Sequence, residues 1–275
     1  MKKTISLFLL WCTLILVFLL IAGCGAPSGD PKEVLSQYYE DIQNNNIEDA
    51  YHLLTEQNKK NINKEDFKLF QQLNNEIMKL KSFKIEKVAD FKNKKMGDLQ
   101  YKYVIEFNVT EIDTLYYDNK DETNNYREYI VDDNGTWKIY KDIDIKKAIA
   151  SDYVRIGSMY VDGKGEDRDF NQALIDFKNA LKYDKNNTDV YYGMGLSYYY
   201  LERYNEAIEQ LNLALSKIND KKSRSDIYNV LGLSYEGIEK YSDALDAFNK
   251  AIESNSENEY AKSNLTALKN FLGSD

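Results

Sequence analysis

The chain predicts two folds in series: an α+β domain in which helices precede an antiparallel meander of strands, then an all-α superhelix of paired helices. Two observations carry this. Between residues 30 and 145 the apolar spacing changes from three-and-four to two, the step from amphipathic helix to half-buried strand. Between residues 150 and 256 one pattern is written three times. Such a period marks units that cannot bury their own faces and must stack.

The elements run in order from a leader. Lys2 and Lys3 precede a nearly unbroken apolar run from Ile5 to Ala22, and small residues follow it, the pattern of a secretory signal. Ile21-Ala22-Gly23-Cys24 resembles a bacterial lipobox. The resemblance implies a lipid of the palmitate type on the Cys24 thiol and cleavage before it. It also implies residence on the extracytoplasmic face of a cell membrane, in a Gram-positive envelope. An uncleaved transmembrane anchor is the alternative, since a run of this length also spans a bilayer. Either way, everything after residue 24 is expected outside the cytoplasm. The domains are then 1–23 as signal peptide, 24–30 as tether, 30–145 as the α+β domain and 147–275 as the repeats with a capping helix.

Asp30-Pro31-Lys32-Glu33 predicts a helix start, with a capping side chain, proline in the first turn and an acid placed to reach back. Leu35, Tyr38, Tyr39 and Ile42 mark its apolar face. A second helix is expected after Asn46, carrying Ala50, Tyr51, Leu53 and Leu54. A third follows Asn63 with Phe67, Phe70, Leu73, Ile77 and Leu80. Leu99, Tyr101, Tyr103, Ile105, Phe107 and Val109 then alternate with polar residues as a strand. Tyr126–Val131 and Trp137–Tyr140 flank Asn134-Gly135, which suits a tight hairpin turn.

This layout, ending in IVDDNGTWKIY, resembles the nuclear transport factor two-like cone fold of small bacterial lipoproteins, and EVLSQYYEDIQNNNIEDAYHLLTEQNKKNINKEDF is similar to their opening helices. Some members enclose a ligand or an acid–base pair in a curved sheet. No residue here matches a catalytic pattern, and the inward strand faces read chiefly as Tyr and Phe. The chain is therefore expected not to be an enzyme.

The first repeat runs Tyr153, Ile156, Gly157, Tyr160, then Ala173, Phe177, Ala180. The second runs Tyr191, Met194, Gly195, Tyr198, then Ala207, Leu211, Ala214, and the third Tyr228, Leu231, Gly232, Tyr235, then Ala244, Phe248, Ala251. Each describes two short helices that cross closely at small residues. YYGMGLSYYYLERYNEAIEQLNLAL and YNVLGLSYEGIEKYSDALDAFNKAI resemble tetratricopeptide repeats. The longer loop within YVDGKGEDRDFNQA of the first resembles Sel-one-like repeats. Proline is missing where such repeats often end, near Lys185, Asn219 and Ser256. Ala261, Leu265, Leu268 and Leu272 form one stripe on a last helix, a cap for an open stack.

In this family the first helix of each pair lines a concave groove. The resemblance implies Val154, Arg155 and Ser158 from the first copy, Tyr192, Leu196, Tyr199 and Tyr200 from the second, and Asn229, Val230, Leu233 and Glu236 from the third. The set lacks the cations that grip a terminal carboxylate, so an extended or helical segment with apolar side chains is the expected occupant. Aromatics suit interfaces; the alternative is that Tyr199 and Tyr200 pack on the neighbouring repeat. The expected function is a membrane-anchored adaptor holding another envelope protein or peptide. The alternatives are a ligand-binding or catalytic pocket in the first domain, and a plain structural spacer.

Composition narrows the chemistry. The net charge is −9, and −11 once Lys2 and Lys3 leave with the leader, which disfavours nucleic acid. Cys12 leaves likewise and Cys24 is consumed by lipid, so no thiol, metal site or cofactor is expected. His52, the only histidine, sits between Tyr51 and Leu53 without a partner signature and reads as structural. Asp162-Gly163-Lys164-Gly165-Glu166-Asp167 lacks the spacing of a calcium or phosphate loop and reads as a repeat loop. Asn-x-Thr sequons at Asn108, Asn134, Asn186 and Asn264 reflect an Asn-rich composition, and pairs such as Asp132-Asp133 read as solvated charge.

Overall fold

A computed structural model of the chain describes residues 25–163 and 167–273. The leader, Cys24 and the centre of the Asp162–Asp167 loop lie outside the described residues.

Helix α1 (Pro31–Gln43) starts at Asp30, whose carboxylate accepts the Lys32 amide at 2.8 Å. Pro31 occupies the first turn, where a missing N–H leaves nothing unmet. Leu35, Tyr38 and Tyr39 are buried as the spacing predicts. Helices α2 (Ile47–His52), α3 (Glu56–Asn61) and α4 (Lys64–Ile77) follow. The short α3 has no apolar stripe to announce it and is held by its caps. Thr55 accepts the Asn58 amide at 3.1 Å, and the Asp133 carboxylate accepts that of Glu56 at 2.8 Å.

Leu80, expected in the last turn of α4, belongs instead to β1 (Met78–Met96), which starts directly after the helix. The strand itself was hidden in the sequence. Lysines at 79, 81, 84, 87, 92, 94 and 95 break its alternation, and β1 is a mostly exposed edge strand, where lysine discourages pairing with other chains. It neighbours β2 (Leu99–Leu115), then β3 (Asp121–Asp133) and β4 (Thr136–Tyr140), in sequence order. Strands β3 and β4 pair antiparallel with Tyr129 opposite Tyr140. Asn134 (φ 55°) and Gly135 (φ 84°) make the two-residue turn between them. The other edge of β4 is closed by the end of α2: the Thr55 amide donates to the Ile139 carbonyl at 3.0 Å and the Ile139 amide to that of Leu53 at 2.9 Å. Helix α1 lies against β3 and β4.

The second half pairs α5 (Ile145–Asp162) with α6 (Phe170–Tyr183), α7 (Thr188–Tyr200) with α8 (Tyr204–Lys217) and α9 (Lys221–Gly237) with α10 (Tyr241–Ser254). A single helix, α11 (Glu259–Leu272), follows them. Within each pair the small residues do what the pattern demands: a β-carbon at Gly195 would stand 2.6 Å from Leu211, and one at Gly232 2.4 Å from the Phe248 ring. The fully buried Phe177 reaches both Gly157 of its own pair and Gly193 of the next. The longer first connection runs from Gly163, left-handed at φ 69°, to the capping Asp169. Helices α5, α7, α9 and α11 neighbour one another in order, while α6, α8 and α10 meet chiefly the first helices that flank them. The first helices therefore form the inner layer.

Density of packing divides the chain into two units. One holds the described residues up to Lys68 with Leu80–Asp113 and Asp121–Ile143. The other holds Leu69–Lys79, Thr114–Lys120 and everything from Asp144. The second unit thus takes in the end of α4 and the turn between β2 and β3. Asn74 donates to Asp152 at 3.2 Å, and the Tyr116 amide to the Ile77 carbonyl at 3.1 Å.

Candidate functional site

The inner layer presents an aromatic wall. On α7, Asp189, Tyr192, Leu196 and Tyr199 fall at helical spacing along one stripe, with Tyr200 beside its end. Tyr192, Leu196 and Tyr199 are half-buried against the repeat core and Tyr200 is 44 % exposed. Tyr200 stacks on Phe170 of the first pair at 4.7 Å and 14°, beneath the Arg168 guanidinium. Tyr199 lies 5.4 Å from Tyr200 and 6.0 Å from Tyr204. Three neighbours of the wall are acidic. Burial, then Asp226, Tyr200 and Asp162, push the Tyr192 phenol up to about 12. Burial, Tyr204, Tyr200 and then Glu236 raise that of Tyr199.

The other residues expected in the groove are placed as follows. Val154 and Arg155 are half-buried and Ser158 exposed on α5. Asn229, Leu233 and Glu236 are half-buried on α9, where Asn229 accepts from Asn264 of α11 at 2.9 Å. Val230 is core instead, because it sits on the flank of α9 that packs inward.

A second cluster lies in the α+β unit, on the strand faces expected to hold chiefly Tyr and Phe. The Tyr39 hydroxyl donates to Glu128 at 3.2 Å and also hydrogen-bonds Glu111. Lys141 donates to Glu128 at 2.5 Å and lies 4.6 Å from the Tyr38 ring centre. Asp113 is buried beside Glu111 and accepts from Asn124 at 3.3 Å. Burial raises Glu111 to about 7. Burial opposes the Lys141 charge, but Glu128 and Tyr38 more than offset it and hold the ammonium above the ordinary lysine range. The signal was available: Glu111 and Asp113 continue the inward phase of Ile105, Phe107 and Val109, and Glu128 that of Ile130.

His52 lies on the outer side of its helix, between the buried Tyr51 and the half-buried Leu53. Its ring is solvent-exposed on α2 and approaches Glu48 at 3.9 Å. Asp132 and Asp133 are turn and cap groups, accepting the Gly135 and Glu56 amides. Among the described residues, no group of three or more His, Cys, Asp or Glu is arranged to hold a metal, and no helix is long and apolar enough to cross a membrane.

Burial also raises Asp152 to about 7 and Asp176 to about 6. With Glu111, these groups keep a proton in the folded chain that the unfolded chain loses near the ordinary carboxylate pKa of about 4. The folded state then binds more protons, so stability is greatest below about pH 4 to 4.5 for these groups and falls as pH rises to about 7. Urea midpoints measured across this range should decline, and Glu111→Gln with Asp152→Asn should flatten the decline.

Residues 30–146 match the family model described as an NTF2-like N-terminal transpeptidase domain, and residues 186–257 match that of the tetratricopeptide repeat. The chain carries an NTF2-like domain followed by tetratricopeptide repeats. The repeat match spans the second and third pairs and leaves out the first, with its longer loop. Solved structures similar to the chain are repeat proteins. The first TPR domain of human RPAP3 is 18 % identical over 46 % of this chain and 94 % of its own, with a TM-score of 0.41. The TPR domain of Arabidopsis OM64 is 20 % identical over 46 % and 98 %, also at 0.41. YrrB, described as a TPR protein with an unusual peptide-binding site, is 24 % identical over 43 % and 58 %, at 0.38. No curated protein matches the chain.

Proposed function

We propose that this chain is an extracytoplasmic adaptor, held to a membrane through Cys24, that captures another envelope protein or peptide on the inner face of its tetratricopeptide repeats. Two findings support the binding half: the repeat match and the half-exposed row Tyr192, Leu196, Tyr199 and Tyr200, which is the observation that carries it. Aromatic side chains offer large contact area for little lost rotamer freedom. The anchoring half rests on Ile-Ala-Gly-Cys after the apolar run. The role is binding, not catalysis.

Replacing Tyr192, Tyr199 and Tyr200 together by Ser is expected to abolish capture in native-cell crosslinking. Each lost anchor costs about 2 kcal/mol or more of binding. Unchanged capture by a variant of normal helicity would place the interface elsewhere. For the anchor, Cys24→Ala should leave unprocessed or shed protein, and mass spectrometry finding an unmodified Cys24 on membrane-bound protein would remove this half of the proposal.

The Glu111–Glu128–Lys141 cluster favours a second reading, a ligand pocket in the NTF2-like domain. Under it, Glu111→Gln would remove activity while capture by the repeats persists.

A further inference from the structure

Acidic side chains gather on the inner face of the repeats beside its tyrosines. Asp189 stands one turn before Tyr192 on α7. On α9, Asp226, Asn229, Leu233 and Glu236 recur at helical spacing, and α9 neighbours α7. Asp226 and Glu236 act on Tyr192 and Tyr199 respectively, and Asp162 at the end of α5 also acts on Tyr192. Among the described residues, the cations near this face are already engaged, one of them with an acid of the face itself. Arg155 bears on Asp152, Arg168 covers the far ring of Tyr200, and Lys222 stands one turn before Asp226 and bears on it. Asn258 donates to Asp226 at 3.3 Å; burial raises the pKa of that carboxylate and Lys222 pulls it back toward the charged form.

A tyrosine face flanked by carboxylates attracts cations twice over. The ring quadrupole favours a charge above it, and the carboxylates favour it beside the ring. An acidic segment would meet repulsion from three helices at once, and like charges across an interface reject wrong partners. We infer that the inner face of the second and third repeats takes a Lys- or Arg-bearing stretch of an extended partner polypeptide, its cations crossing the Tyr192 and Tyr199 rings between Asp226 and Glu236. This rests on the repeats being the binding part of the chain and names the chemistry of what they hold.

The test uses the full chain in neutral detergent micelles, with empty micelles as the blank. Three short fluorescein-labelled peptides share alternate Leu residues and differ between them in carrying Lys, Glu or Ser. The Lys peptide should bind on the order of tenfold more tightly than the Ser peptide at low salt, with the gap closing at high salt. Asp226→Asn with Glu236→Gln should bring the Lys peptide to the level of the Ser peptide at unchanged helicity. Equal binding of Lys and Ser peptides overturns the cation inference and leaves the groove standing, as does stronger binding of the Glu peptide. Binding of none overturns it too, and capture lost in the Tyr-to-Ser variant then decides separately whether the groove is used.

Discussion

Phe177→Ala is expected to destabilise the repeat unit by about 3 to 5 kcal/mol, the cost of emptying a fully buried aromatic site. Phe177 has no exposed surface, and its ring fills the space left by Gly157 and by Gly193, so it seals its own pair and couples it to the next. Leu at this position keeps most of the volume and should cost much less. Denaturant unfolding followed by helical circular dichroism reads both. If the alanine variant shifts the midpoint no more than the leucine variant does, the ring is not the element that joins the pairs.

The second large effect is expected at Lys141. Its side chain is 18 % exposed and that of its partner Glu128 9 %. Lys141→Met leaves Glu128 facing Glu111 and the Tyr39 hydroxyl with no cation, and breaking a buried pair from one side costs about 3 to 5 kcal/mol. Adding Glu128→Leu removes the stranded charge, so the double variant should recover most of the loss. A double variant as unstable as the single one would show that Lys141 acts by packing on Tyr38 and not by charge.

Much of the fold was legible because its signals are local. The Tyr–Gly–Tyr and Ala–large–Ala spacings state which faces meet, and the Gly195–Leu211 and Gly232–Phe248 contacts are those faces. Asn134-Gly135 stated its turn, since few other pairs adopt two positive φ angles so readily. What escaped lacks periodic apolar residues: β1 with its lysines, and α3, fastened by Thr55 and by an Asp133 carboxylate far along the chain. Of the two candidate sites, the tyrosine row is what the repeat resemblance implies, since it assigns the first helix of each pair to the groove. The Glu111 cluster could not be read from residue types alone, because a charged residue at an inward position looks like solvated charge until its partners arrive from another strand and a helix. Phase along β2 was the clue, and it points inward at Glu111 and Asp113.

Repeat arrays generally assemble from contacts close in sequence, which lets them form quickly from any point. Here Leu69–Lys79 and Thr114–Lys120 complete the same unit as the helices that begin at Asp144. These segments leave the ribosome well before their partners exist. The first end of the array therefore has high contact order while its later end has low. Folding should nucleate in the second and third repeats and travel backwards, against the direction of synthesis, to collect the two early segments last.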